Sequence, residues 1–234
     1  MINNRVLPRF TNTLSSVIIF GSFFFIAGIM WAGYLIRGSP LYTGVGVARP
    51  QPIPFSHERH IRSDAIDCRF CHSSVESSPF AGMPPTETCM QCHTQIGLNS
   101  PILDQVRESY KTNRPLQWQR IYNLPGYVHF DHSIHVNKGV GCVTCHGPMD
   151  NMVPLPEQFP IDNRTPVIWK AQPLTMQWCL KCHRNPENYV RPREQVFNLN
   201  WRPQKPQADL GRELIGKYKI KDAGYLTNCD VCHF

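Results

Sequence analysis

From Ser15 to Ile36 the chain runs for 22 residues without a charge. A stretch of that length is enough to cross a bilayer as a helix. It follows a short polar segment, residues 1–14, that carries Arg5 and Arg9. Trp31 and Tyr34 lie towards its far end, where amphipathic rings favour the membrane interface. A cleaved secretory leader has an apolar region of only about 7–15 residues before a small-residue cleavage site, so this pattern predicts an uncleaved signal anchor over 15–36. The pattern then breaks: residues 37–54 are rich in Gly and Pro and end Arg49-Pro-Gln-Pro-Ile-Pro54. Such a stretch cannot continue the helix and reads as a linker. Beyond it no periodicity is sustained, and the chain holds 21 prolines. The fold class this predicts is a single transmembrane helix followed by a mostly irregular domain with short α-helices.

The polar positions that do repeat are cysteine and histidine. Five runs of Cys-x-x-Cys-His use all ten cysteines of the chain: Cys68 and Cys71 with His72, Cys89 and Cys92 with His93, Cys142 and Cys145 with His146, Cys179 and Cys182 with His183, and Cys229 and Cys232 with His233. Each is an attachment signature for c-type haem, with two thioether cysteines and a proximal histidine on iron. Positions i, i+3 and i+4 project from one face of a helical turn, so both sulfurs and the imidazole can meet one porphyrin. A zinc knuckle, a redox dithiol or a disulfide framework would use some Cys-x-x-Cys pairs. None of these explains a histidine after every second cysteine. The cofactor expected is therefore five covalently bound haem c.

Five haems within about 197 residues after the apolar segment leave too little protein for an ordinary core around each cofactor. The haems should stack and serve as most of the core themselves. Attachment of c-type haem outside the bacterial cytoplasmic membrane sets the orientation. The expected organisation is a cytoplasmic 1–14, a transmembrane 15–36, a linker 37–54, a first two-haem unit 55–100, an insertion 101–128 and a three-haem unit 129–234, with the haem domain in the periplasm. The formal net charge of +7 does not point to nucleic acid. Two propionates per haem would add about ten carboxylates, and many of the basic side chains read as their partners or as solvated surface.

A weak internal repeat bears on the second axial ligands. Phe55-Ser-His57-Glu-Arg-His60 precedes the first motif and Phe130-Asp-His132-Ser-Ile-His135 the third. Each is followed by one haem motif and then by a second behind a Pro/Thr turn. Histidines at i and i+3 share a helical face, so one turn can serve two closely packed haems. Ten histidines less the five of the motifs leave His57, His60, His129, His132 and His135. The repeat points to His57, His60, His132 and His135 as distal ligands. His129 has no counterpart in the first unit, where Pro54 holds its place, so the fifth distal ligand is one of His129, Met83, Met152 and Met176. The choice matters because a methionine raises a haem's potential.

The paired Phe-x-His-x-x-His cassette resembles that of the small class III multihaem cytochromes. That resemblance implies that His57 serves the haem of His72 and His132 that of His146, with His60 and His135 reaching other haems. The anchor, the five motifs and the runs Phe130 to Gly147 and Pro173 to Pro186 together resemble the pentahaem cytochrome c subunit of bacterial alternative complex III. This resemblance covers the whole chain and rests chiefly on residues 127–187. It implies an electron-transfer subunit, not itself an enzyme, in an inner-membrane complex that oxidises a quinol. Partners would be an iron-sulfur subunit, polytopic quinol-binding subunits and a monohaem cytochrome c, with electrons leaving towards a periplasmic carrier or terminal oxidase. Family members usually carry an aromatic residue at the place of His129, which favours methionine at one haem. Two other functions remain: a stand-alone quinol dehydrogenase of the NapC/NrfH group, and a multihaem reductase of nitrite or hydroxylamine. A reductase needs an open iron position, whereas here spare ligands are abundant.

Overall fold

The computed structural model describes residues 10–151 and 168–234. The chain divides into two compact units, one ending at Val45 and the other spanning Gly46 to Phe234. In the first, helix α1 (Phe10–Gly38) contains the whole uncharged run, 29 residues in all, and buries none of its side chains. It rises about 43 Å, and it is long and apolar enough to cross a membrane. A four-residue helix, α2 (Pro40–Thr43), follows and stops at Gly44, whose φ of 68° suits a residue without Cβ.

The second unit is built of short helices and irregular chain. Among the described residues it contains no strands, only three isolated β-bridges: Ala48 with Trp169, Val128 with His233, and Val140 with Val190. Its helices are α3 (Cys68–Cys71), α4 (Thr86–His93), α5 (Asp104–Thr112), α6 (His132–Asn137), α7 (Cys142–His146), α8 (Met176–Arg184), α9 (Gln207–Tyr218), α10 (Ala223–Leu226) and α11 (Cys229–Cys232). This is the architecture expected of a multihaem cytochrome c with an N-terminal apolar helix. Every Cys-x-x-Cys-His run forms a helical turn or the end of one, because its small apolar content gives no reason for a longer helix.

Burial is divided among three small clusters. Ile53, Met90 and Val106 meet behind the second motif, where α4 packs on α5, with Leu103, Leu116 and Trp118 around them. There the Thr86 and Ser109 hydroxyls satisfy each other at 2.7 Å. Val75, Val136 and Val196 join the segments after the first motif and around the third. Val190, Leu214 and Tyr218 hold α9 against the turn at Pro186–Asn188, beyond the fourth motif. Leu214 and Tyr218 lie three and seven residues after Gly211, on one stripe of α9, and each is worth roughly 2 kcal/mol of burial. Gly211 is required by the contact itself: a Cβ there would stand 2.5 Å from the Glu187 carbonyl carbon and closer still to its oxygen.

The Pro-rich stretch is not a free spacer along all its length. Gly46 donates to the Lys170 carbonyl at 2.9 Å, the Gln51 side chain and the Gln119 backbone bond each other twice at 2.9 Å, and Ile53 is buried. Only the part before Gly46 lies outside the second unit. The insertion 101–128 likewise docks on its own domain, through α5 and through Tyr122.

Candidate functional site

Three of the cysteine motifs are set on their turns by a local device. The Asp67 carboxylate caps α3 by accepting from the Arg69 backbone at 2.8 Å and holds the Arg69 side chain at 2.9 Å. Thr175 caps α8 through the Trp178 amide, and Pro85 opens α4 in extended conformation. None of the ten cysteines is in a disulfide. Among the described residues no three His, Cys, Asp or Glu side chains converge on a point. Burial pushes the Cys142 thiol up to about 11 and the Cys145 thiol up to about 12, which keeps them neutral and apolar.

The histidines pair. The rings of His60 and His93 are 6.2 Å apart, those of His132 and His146 6.4 Å, and those of His135 and His183 6.1 Å. A metal–imidazole bond of about 2.0 Å and a five-membered ring of radius about 1.15 Å place two imidazoles on opposite sides of one metal about 6.3 Å apart, centroid to centroid. The three pairs have the separation that a shared iron requires. Each joins a motif histidine to a histidine of the Phe-x-His-x-x-His repeat. His57 lies among His72, His60 and His146; burial above all, and then those neighbours in that order, push its imidazole down to about 4.

Ring orientation is fixed from the far side. A backbone carbonyl can only accept, so a ring nitrogen bonded to one must carry the proton, leaving the other nitrogen free to bind metal. Nδ1 donates to a carbonyl at 2.8 Å in His72 (Gly82), His132 (Pro79) and His183 (Leu226). His60 and His135 donate back to Ser56 and Asp131, four residues earlier, at 2.8 and 2.7 Å. His93 bonds Ile96 at 3.1 Å and His233 bonds Tyr127 at 3.4 Å. In all seven the Nδ1 bond leaves Nε2 as the unprotonated nitrogen, the arrangement expected of a metal-binding imidazole. The Nδ1 of His57 is buried without a partner. The residues present fit covalently attached haem c at the cysteine pairs.

The phenylalanines of the repeat, for which the sequence suggested no role, act as clamps. Phe55 stacks on His60 at 4.5 Å and meets His57 edge-on at 4.8 Å; Phe130 stacks on His135 and meets His132 edge-on, both at 4.8 Å. Tyr122 packs edge-on against His146 at 4.6 Å, donates to the Cys145 carbonyl at 3.2 Å and accepts from the Ala171 amide at 2.8 Å. The orienting carbonyls of Pro79, Gly82 and Leu226 carry no sequence signal, because any residue supplies one.

His233 stands apart. His129 donates its backbone N–H to the Cys232 carbonyl at 2.8 Å and packs its ring on Phe234 at 3.7 Å. Val128 and His233 form an antiparallel bridge. Facing Cα atoms are then about 5 Å apart, which brings the His129 Cα within about 9 Å of that of His233. His129 is thus a close neighbour of His233 along the bridge, with its ring turned to Phe234. Of the methionines, Met83 is exposed beside Gly82, whose carbonyl orients His72. Met176 is exposed at the start of α8, and Met152 lies outside the described residues.

The motifs do not follow one another in space as they do in sequence. Cys71 lies near Cys89 and Cys92, Cys142 near Cys68, Cys145 near Cys182 and Cys179, and Cys179 near Cys232. The second motif therefore neighbours the first, the first the third, the third the fourth, and the fourth the fifth. The repeat turns agree: residues 57–60 reach the first two sites, and His132 and His135 on α6 reach the third and fourth.

No protein-family model matches the chain. It is similar to the protein named menaquinone reductase, multiheme cytochrome c subunit, of Nitratidesulfovibrio vulgaris (strain Hildenborough), with 29% identity over 153 residues, 61% of this chain and 71% of the relative.

Proposed function

We propose that the chain is a membrane-anchored pentahaem cytochrome c that relays electrons within a quinol-linked respiratory complex. The observation that carries this reading is the set of three imidazole pairs at 6.1–6.4 Å, each joining a cysteine motif to the histidine repeat. Bound at the five motifs, haem c supplies a one-electron couple at each. The protein's own groups do the rest. The ten cysteines tether, His72, His93, His146, His183 and His233 bind from one side, and His57, His60, His132 and His135 close the other, paired with His72, His93, His146 and His183 respectively. Backbone carbonyls hold each ring in the tautomer that offers Nε2, and the phenylalanine clamps hold each repeat turn. Where two histidines would hold one haem iron, no position would be left open for a substrate, which favours electron transfer over reduction of nitrite or hydroxylamine.

For the His233 iron the arrangement favours a thioether. Met176 sits one helical turn before Cys179, which lies near Cys232, and is the methionine we assign to that site. A methionine at one end would raise that end's potential and draw electrons towards it. The spatial order of the motifs makes the second and fifth the two ends of the relay.

The similarity to a menaquinone reductase subunit supports a quinone-linked complex. Within that class, the anchor, five motifs and residues 127–187 favour the alternative complex III type. The haem domain would then face the periplasm, with an iron-sulfur subunit, polytopic quinol-binding subunits and a monohaem cytochrome c as partners. Purification of the native chain from membranes tests both levels. Intact mass should show five haem increments and no disulfide, and the co-purifying subunits should include a polytopic quinol-binding protein. Fewer increments, or a chain that purifies alone with quinol dehydrogenase activity, would overturn the reading.

A further inference from the structure

Arginine is almost never buried without an anion, because taking its charge out of water costs several kcal/mol. Arg191 is such a case, only 7% exposed. One terminal guanidinium nitrogen donates to the Asn198 carbonyl at 3.1 Å, Nε has no partner, and the guanidinium carbon lies 4.9 Å over the Trp201 ring. Among the described residues no carboxylate comes within ion-pair distance of it. The group stays protonated even so, since guanidinium does not lose its proton in proteins.

Its position is over-determined. The Arg191 amide donates to the Gly139 carbonyl at 2.8 Å, and the neighbouring Val190 bridges Val140. The side chain then lies flat on Gly141, where a Cβ would stand 2.5 Å from Nε. Gly141 caps α7 and directly precedes Cys142. The charge is held one residue from a thioether cysteine, in a layer of backbone and indole that excludes water.

We propose that Arg191 is a fixed positive charge that raises the reduction potential of the haem on the third motif, the middle site of the relay. The inference rests on the reading above that this motif carries haem. Reduction adds one electron, from the site on either side, and changes no bond or proton. A nearby buried cation favours the reduced state because the iron centre loses one positive charge. The middle of the wire then holds an electron more readily than it would without the Arg191 charge.

The test is a redox titration of the full-length holoprotein in detergent, followed by visible absorbance and EPR. In Arg191→Gln, one of the haem transitions should move to lower potential by at least tenfold in its oxidised-to-reduced ratio, about 59 mV for a one-electron couple. Arg191→Lys, which keeps the charge, should retain most of the native value. Asn198→Asp, at the exposed residue whose backbone carbonyl accepts from the guanidinium, leaves Arg191 in place but adds an anion to the same short segment. It should lower the same transition, and it decides the matter if Arg191→Gln fails to load haem. Unmoved potentials in the Arg191→Gln or Asn198→Asp protein, or equal shifts in the Arg191→Gln and Arg191→Lys proteins, would overturn the proposal. Intact mass of the native chain separates the two levels: a missing haem increment on the tryptic peptide with Cys142 and Cys145 would sink the haem assignment, not the electrostatic argument.

Discussion

Replacing His132 with alanine should turn one low-spin haem into a high-spin one without releasing it. His132 faces His146 at 6.4 Å with the rings 16° from parallel, and its Nδ1 is bonded to the Pro79 carbonyl at 2.8 Å. The substitution removes one iron ligand, one hydrogen bond worth about 1 kcal/mol and the edge contact with Phe130. Both Cys142 and Cys145 keep their thioethers, so haem content should not change, and about one fifth of the haem absorbance should take on five-coordinate character. EPR of the oxidised protein reads this directly. Free imidazole has the shape of what was removed and should restore the low-spin signal, while His129→Ala should change nothing. The pairing is tested by combination. A variant lacking both His132 and His146 should alter the same single haem as His146→Ala alone, whereas lacking His132 and His183 should alter two. A fully low-spin His132→Ala protein with five haems, or additivity of the His132 and His146 changes, would refute the axial assignment.

Three further outcomes follow from named contacts. Gly211→Ala should lower Tm markedly, by a stability loss of about 1–3 kcal/mol or more, because the new methyl would overlap the Glu187 backbone; thermal melting followed at the haem bands checks it. Asp67→Ala should cost up to about 1 kcal/mol near neutral pH, through loss of the α3 cap and of an exposed pair with Arg69. Hydrogen bonds from the Arg69 side chain hold the Asp67 carboxyl below the usual carboxylate range. Its contribution is therefore full above the unfolded pKa and lost as pH falls through the folded one, so the variant should show a flatter acid limb in its stability curve. Protease added to intact spheroplasts should digest residues 38–234; protection of that segment would place the haem domain on the wrong side.

The sequence made the chemistry legible and the architecture only in outline. Cys-x-x-Cys-His carries its own geometry, since a helical turn brings the three side chains to one face wherever the motif occurs. The uncharged run at 15–36 announces α1 because nothing in it favours water. The repeat made His57, His60, His132 and His135 visible, yet only the folded chain brings His60 to His93 and His135 to His183, contacts between segments 33 and 48 residues apart. The spatial order of the motifs, second to first to third, was hidden for the same reason: proximity of Cys68 to Cys142 is a tertiary fact with no local signal. The docking of Gly46, Gln51 and Ile53 was obscured by their prolines, which forbid helix but not an extended strap. His129 looked equivalent to the other spare histidines by count, and a single β-bridge separates it from them.

The distribution of burial explains why the cofactor sites and the fold are one problem. Among the described residues eleven apolar side chains are buried, and most of them fall into clusters of three. Each cluster lies behind a cysteine motif: Met90 is inside the second, Val75 and Val136 press on Cys142 from the third, and Val190 closes the end of the fourth. The three clusters are separate from one another, and the paired imidazoles stand 6.1–6.4 Å apart. Clusters of this size are too small to hold a domain by apolar burial alone. On the proposed reading, tethered haems would supply the large flat surfaces that join them, and folding should then be linked to cofactor attachment, as in small metal-dependent domains. That linkage also accounts for the extensive use of backbone carbonyls on histidine Nδ1. Each such bond ties an axial ligand to a loop, so a haem seated between two rings simultaneously fixes the two chain segments that hold them. Removing a distal histidine should accordingly loosen the loop behind it, the Pro79 segment for His132, more than any helix of the chain.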